Sequence, residues 1–155
     1  MIVRIWRLAT IMLAALNMGM AWCHVLEMPA KMRYDGPQWT RVQQTLYRSF
    51  GKEGVGAWIE PGAVLAAVVL AFLVRSRRPA SGLTLAGTGF LAAALGAWFA
   101  FVAPMNAEVA TWTPETVPLE WTRTRNQWEY AHAARFVLQL VGFGALLASV
   151  CATLE

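Results

Sequence analysis

The chain has two histidines, His24 and His132, and each has a glutamate three positions away. One segment reads His24-Val25-Leu26-Glu27, the other Glu129-Tyr130-Ala131-His132. On a helix, an i,i+3 spacing places both members of a pair on one face. Asn17 stands seven residues before His24, and Gln139 seven after His132. Seven residues is about two helical turns, so each amide keeps the face of its histidine. An imidazole moves protons at neutral pH. Two imidazoles with converging carboxylates also form a ligand set for iron, manganese or zinc.

The elements that must position these groups are membrane helices. Of 155 residues, 57% are hydrophobic and 14% charged, against about 25% charged in an ordinary soluble domain. Mean hydropathy is +0.44. These values exclude a disordered chain, a nucleic-acid-binding module and a disulfide-built scaffold. The net charge of +4 is read as lipid-facing, because no basic run is long enough to follow a phosphate backbone. Four stretches suit crossings of a hydrocarbon layer about 30 Å thick. They cover about 5–24, 54–74, 82–103 and 130–153 of a single membrane domain, 1–155. The expected fold is all-α: an up-down-up-down bundle of four transmembrane helices. Small residues recur in the third and fourth (Gly87, Gly89, Gly96, Gly142, Gly144, Ala145), which suits close packing in lipid. The first segment lacks a small-x-small cleavage site and is read as a retained helix.

Four crossings put both termini on one side, with Arg4, Arg7 and the turn Arg75-Ser76-Arg77-Arg78. The positive-inside rule makes that side cytoplasmic, in an inner or plasma membrane. In the first outer loop, Asp35-Gly36-Pro37 is a helix-start signal. Trp39, Val42, Leu46 and Phe50 then share one face of a short amphipathic helix at the interface. Trp22, Trp39, Trp58, Trp112, Trp121 and Trp128 form an aromatic belt by type and position. Cys23 and Cys151 fall at opposite membrane faces, which argues against an intrachain disulfide.

The first and fourth helices run in opposite directions, so both glutamates lie about 4.5 Å outward of their histidines. If these helices touch, three layers meet: Glu27 with Glu129, His24 with His132, Asn17 with Gln139. Bundle di-metal sites use Glu-x-x-His on two helices and a lone Glu on each of the others. Glu129-x-x-His132 has that form, and His24 with Glu27 gives it in reverse. Glu60 supplies one lone carboxylate, and Asn106 stands where a second would be. The candidate metal ligands are therefore His24, Glu27, Glu60, Glu129 and His132. Met18, Met20, Met28 and Met32 flank them, and thioethers suit copper(I). An organic ligand in a polar pocket is the competing occupant. The two histidines at equal depth also suit axial ligation of a b-type haem. Bland alternatives stand beside these: an interfacial ion-pair network, Met as packing filler, and Glu60-Pro61 as a helix start favoured by the dipole.

At these residues the chain resembles the anthrone oxygenase-like family of small four-helix membrane proteins. The resemblance rests on His24-Val-Leu-Glu27-Met-Pro-Ala-Lys31, on Phe101-Val-Ala-Pro104-Met-Asn106, and on Arg125-x-x-Trp128-Glu129-x-x-His132-x-x-Arg135. Named members are linked to oxidation of anthrones to anthraquinones by O₂, with no generally recognised cofactor. The resemblance implies a site of His24, Glu27, Asn106, Trp128, Glu129 and His132.

The expected function is an oxygenase-type oxidoreductase acting on a hydrophobic small molecule that enters from lipid. Glu129 or His132 serves as general base, and Asn106 and Arg135 hold the developing oxyanion. In a metal-dependent version, iron, copper or zinc sits among the His/Glu ligands. The alternatives are a haem- or metal-binding module and an accessory subunit of an oligomer or larger membrane complex.

Overall fold

A computed structural model describes residues 1–51 and 54–152, with the side chains of residues 48 and 49 excepted. Helix α1 spans Ile2–Lys31, α2 Gly36–Thr45, α3 Gly56–Leu73, α4 Ala80–Ala97, α5 Ala103–Val109 and α6 Trp121–Cys151. A 3₁₀ turn, Leu46–Ser49, follows α2. A π-helical turn, Trp98–Val102, joins α4 to α5, so one rod runs from Ala80 to Val109. No strand occurs among the described residues. Four helices are long and apolar enough to cross a membrane. Their outward faces carry apolar side chains such as Leu8, Leu16, Leu65, Phe72, Leu85 and Val137. That is the surface hydrocarbon requires, since every backbone polar group is satisfied inside a helix. The protein is a four-helix integral membrane bundle.

The helices outrun their apolar segments. Helix α1 continues from His24 to Lys31 through Pro29, which lies on an exposed face. Helix α6 begins nine residues before Tyr130, at Trp121. At 1.5 Å per residue, α1 is about 45 Å long, well beyond a hydrocarbon layer of about 30 Å. The added turns carry Glu27, Lys31 and Glu129 beyond the apolar windows and into contact with α2 and the 3₁₀ turn after it.

Helix packing follows size. Of the small residues noted in the third and fourth crossings, Gly87 and Gly142 face each other between α4 and α6. A Cβ on Gly87 would lie 2.8 Å from Leu146 Cγ and 2.9 Å from the Gly142 carbonyl oxygen. Gly89, Gly96 and Gly144 face open space, so they do not make the bundle's interhelical contacts. Gly87→Leu should cost about 1–3 kcal/mol by overpacking, read as a lowered unfolding midpoint in detergent. Gly89→Leu should leave the midpoint unchanged. Hydroxyls tie the α1–α3 seam and reinforce the α4–α6 seam. Thr10 Oγ1 donates to the Ala66 carbonyl at 3.2 Å, and Thr84 and Ser149 meet at 2.6 Å while both reach the Ala80 carbonyl.

Helix α2 caps one end of the bundle. Asp35 accepts from the Gln38 N–H at 2.8 Å, and Pro37 fits the first turn. Trp39, Val42 and Phe50 pack inward as their spacing implies, but Leu46 is 55% exposed and Tyr47 is buried in its place. The helix tightens to 3₁₀ at Leu46, which changes the angular step and rotates Tyr47 inward. The aromatic belt is also partly internal. Trp39, Trp112 and Trp128 are buried with Tyr47, Val102 and Met105 in a core beneath α2, whereas Trp58 is exposed.

Candidate functional site

The first and last membrane helices press together, and their histidines touch. The His24 and His132 ring centroids are 4.1 Å apart. Trp128 packs against His132 at 4.1 Å, tilted by 50°, and meets His24 edge-on at 5.1 Å. Tyr47 covers His24 at 4.8 Å. The two imidazoles are thus walled by aromatic rings on the capped side.

Toward the bundle interior, Arg135 organises the next layer. Its Nε donates to the Ala94 carbonyl at 3.1 Å, its Nη1 reaches His132 Nδ1 at 3.0 Å, and its Nη2 pairs with Glu60 at 2.5 Å. Gln139 Nε2 donates to the other Glu60 oxygen at 3.0 Å. A guanidinium has no acceptor, so Nδ1 of His132 must accept, and the proton of the neutral ring lies on Nε2. Glu60 is therefore more than a helix-start carboxylate: both its oxygens bind side chains of α6 across the bundle.

On the capped side lies a second ionic group. Lys31 Nζ pairs with Glu129 at 3.0 Å, and the two residues are only 2% and 1% exposed. The ammonium sits over the Trp128 ring at 4.5 Å and the Tyr47 ring at 4.8 Å. Trp39 Nε1 donates to the other Glu129 oxygen at 3.1 Å. Tyr47 donates its hydroxyl to Glu27. Burial, and then that carboxylate, push the Tyr47 phenol above its ordinary range. Trp39→Phe should therefore cost about 1–3 kcal/mol, because a buried carboxylate loses a donor. Unfolding in detergent measures it.

Between these groups and the lipid lies a cavity of about 300 Å³, at the lower end of small-molecule sites. Its polar wall is Asn17, His24, Glu60, His132, Arg135 and Gln139. Pro61 of α3 and Phe99 of the π-helical turn also line it, and both are exposed on the apolar surface of the bundle. The cavity thus reaches the apolar surface between α3 and the α4 rod, and Phe50 and Gly51 of the segment between α2 and α3 also line it. Pro104 cannot donate to the Ala100 carbonyl, and the widened turn at Trp98–Val102 absorbs that lost bond. This turn sets both Trp98 and Phe99 against the cavity.

The sequence-derived site is only partly reassembled. His24, His132, Asn17, Gln139, Glu60 and Arg135 share one cavity. Glu129 does not line it, because Lys31 and Trp39 hold its carboxylate on the capped side. Glu129 is thus displaced from the role of general base. Asn106 lies outside as well: it is exposed, and its Oδ1 accepts from Trp128 Nε1 at 2.8 Å. It orients the indole that packs on both histidines rather than an oxyanion.

The five-residue metal set also comes apart. Among the described residues, no three of His, Cys, Asp and Glu converge. Each carboxylate already has its own partner: Glu27 the Tyr47 phenol, Glu129 the Lys31 ammonium, Glu60 the Arg135 guanidinium. Of the four flanking methionines, Met20 alone lines the cavity. A b-type haem does not fit either. Axial ligation needs iron and its macrocycle between the two rings, and rings 4.1 Å apart leave no layer for them.

Two residues escaped the sequence reading. Lys31 had a signal: it lies seven positions after His24, as Asn17 lies seven before, so all three share a face of α1. Tyr47 had none, because its inward turn depends on the 3₁₀ tightening after α2. Compared with family models, curated proteins and solved structures, the chain has no match.

Proposed function

We propose that this membrane protein is an oxygenase-type enzyme that draws an apolar phenolic molecule from the lipid into the histidine-lined cavity. The observation that carries the reading is a lipid-open cavity whose inner wall holds two touching imidazoles. The motif resemblance to anthrone oxygenase-like proteins agrees with it. His24 is the base. Its Nδ1 is buried without a hydrogen-bond partner, whereas Nδ1 of His132 is occupied by Arg135. His24 takes a proton from an activated CH₂ flanked by aryl rings, leaving a carbanion delocalised through those rings onto the carbonyl across the central ring. O₂ adds to that carbon, and the returned proton gives a hydroperoxide. Loss of the second C–H proton then breaks the O–O bond. The sum is R₂CH₂ + O₂ → R₂C=O + H₂O, a four-electron oxidation in which O₂ is the only oxidant. The aromatic walls and the sideways opening exclude water from the charged intermediate. The arginine turn after α3 faces the cytoplasm in this reading, which places the cavity in the outer half of the bilayer.

The test uses protein in lipid nanodiscs with anthrone as the probe and an oxygen electrode as readout. Oxygen uptake should exceed the rate in empty nanodiscs and match carbonyl product one to one. Uptake equal to that of empty nanodiscs refutes the proposal.

A further inference from the structure

Three residues lining the cavity each hold a buried polar atom with no partner: Asn17 Nδ2, His24 Nδ1 and Gln139 Oε1. A buried polar atom without a partner costs about 1–3 kcal/mol, so three in one cavity mark it as built for something that satisfies them. Their chemistry is specific. The set holds a donor (Asn17), an acceptor (Gln139) and an imidazole that serves as either. Asn17 exchanges donor for acceptor by a flip and His24 by a change of tautomer, whereas Gln139, whose Nε2 is held by Glu60, stays an acceptor beside Asn17. Glu60 and Arg135, the charged members of the wall, are already committed to each other. The free recognition capacity is therefore neutral and, at Asn17 and His24, reversible in sense.

Neutral groups that switch between donor and acceptor suit a ligand whose own oxygens do the same. A hydroquinone presents hydroxyl donors, and its oxidised form presents carbonyl acceptors in the same places. The histidine layer and the Asn17/Gln139 layer lie two helical turns apart along α1 and α6, about 10 Å. The cavity thus has polar groups at both levels, as a ring with oxygens on opposite edges requires. At about 300 Å³ it takes a head group and little more. The exit past Pro61 and Phe99 leads directly into the apolar surface, so an attached hydrocarbon chain can stay in lipid while the head group is bound.

We propose that the cavity binds the head group of a tailed membrane quinone in both its oxidised and reduced forms, with the tail leaving between α3 and the α4 rod. This deepens the reading above by naming a ligand class for the same cavity. It rests on the cavity's wall and opening, not on turnover.

The test is equilibrium binding of decylubiquinone and decylubiquinol to protein in nanodiscs, corrected by empty nanodiscs. Saturable binding of both forms is expected, with affinities within about tenfold of each other. The tail-less head group should bind at least tenfold more weakly, through loss of apolar burial. Gln139→Leu should weaken both forms at least tenfold. Ala57→Trp, which adds bulk to a cavity-lining position on α3, should do the same without touching the polar wall. No saturable binding above empty nanodiscs overturns the proposal. So does binding that neither variant weakens, which reports partition into lipid. Binding without anthrone oxidation sinks the oxygenase reading alone, and oxidation without quinone binding sinks this one alone.

Discussion

Arg135→Met is expected to destabilise the protein by about 3–5 kcal/mol, the cost of leaving one partner of a buried ion pair alone. Glu60 would keep only the Gln139 amide, and the Ala94 carbonyl and His132 Nδ1 would each lose a donor. The guanidinium makes bonds to three elements of the bundle from one side chain. Adding Glu60→Gln to Arg135→Met should recover a large part of the loss, since the stranded charge is then gone. Denaturant unfolding in mild detergent measures both. A single variant within about 1 kcal/mol of the parent contradicts the arrangement described here, because buried pairs do not come apart so cheaply.

His24→Gln should lower anthrone-dependent oxygen uptake by about 10²–10⁴-fold, the usual contribution of a positioned general base. Glutamine keeps a polar side chain in the cavity and carries no exchangeable basic nitrogen. Glu129→Gln sets His24 against the carboxylate that the sequence also offers as a base. It removes the partner of the buried Lys31 ammonium, so its expected effect is a lowered unfolding midpoint with turnover per folded molecule retained. If Glu129→Gln abolishes turnover while His24→Gln spares it, the assignment of the base is reversed.

Most of the architecture was legible because hydrophobic segments of membrane length have few alternatives in lipid. The pairing of His24 with His132 was legible for a related reason: ionisable groups are rare at that depth and seek one another or a cavity. Heptad spacing then carried Asn17 and Gln139 onto the same wall. What the chain alone concealed was how the charges divide. Glu60, Glu129 and Glu27 read as one ligand set, because spacing gives the face of a helix and not the identity of the neighbour. Lys31 sat in a motif but looked like a loop cation, since the apolar window ended near His24 and the helix did not. Asn106 lay near the right depth, yet the π-helical turn before it changes the rotation of everything that follows. Tyr47 was hidden by a change from α to 3₁₀ geometry in the turn that follows α2.

Contact between the two histidines carries everything else, and cysteine cross-linking in native membranes measures it directly. The chain would bear Cys23→Ser and Cys151→Ser, with His24→Cys and His132→Cys. With ring centroids 4.1 Å apart in the parent, the side chains meet at their tips, so a short bis-methanethiosulfonate reagent, rather than a direct disulfide with its tight Cα spacing, should join the two positions within one chain, as a shift in mobility that a reductant reverses. Failure of the reagent to join them, in protein that is folded and membrane-inserted and in which each single cysteine reacts, would mean that the first and last helices do not share a cavity.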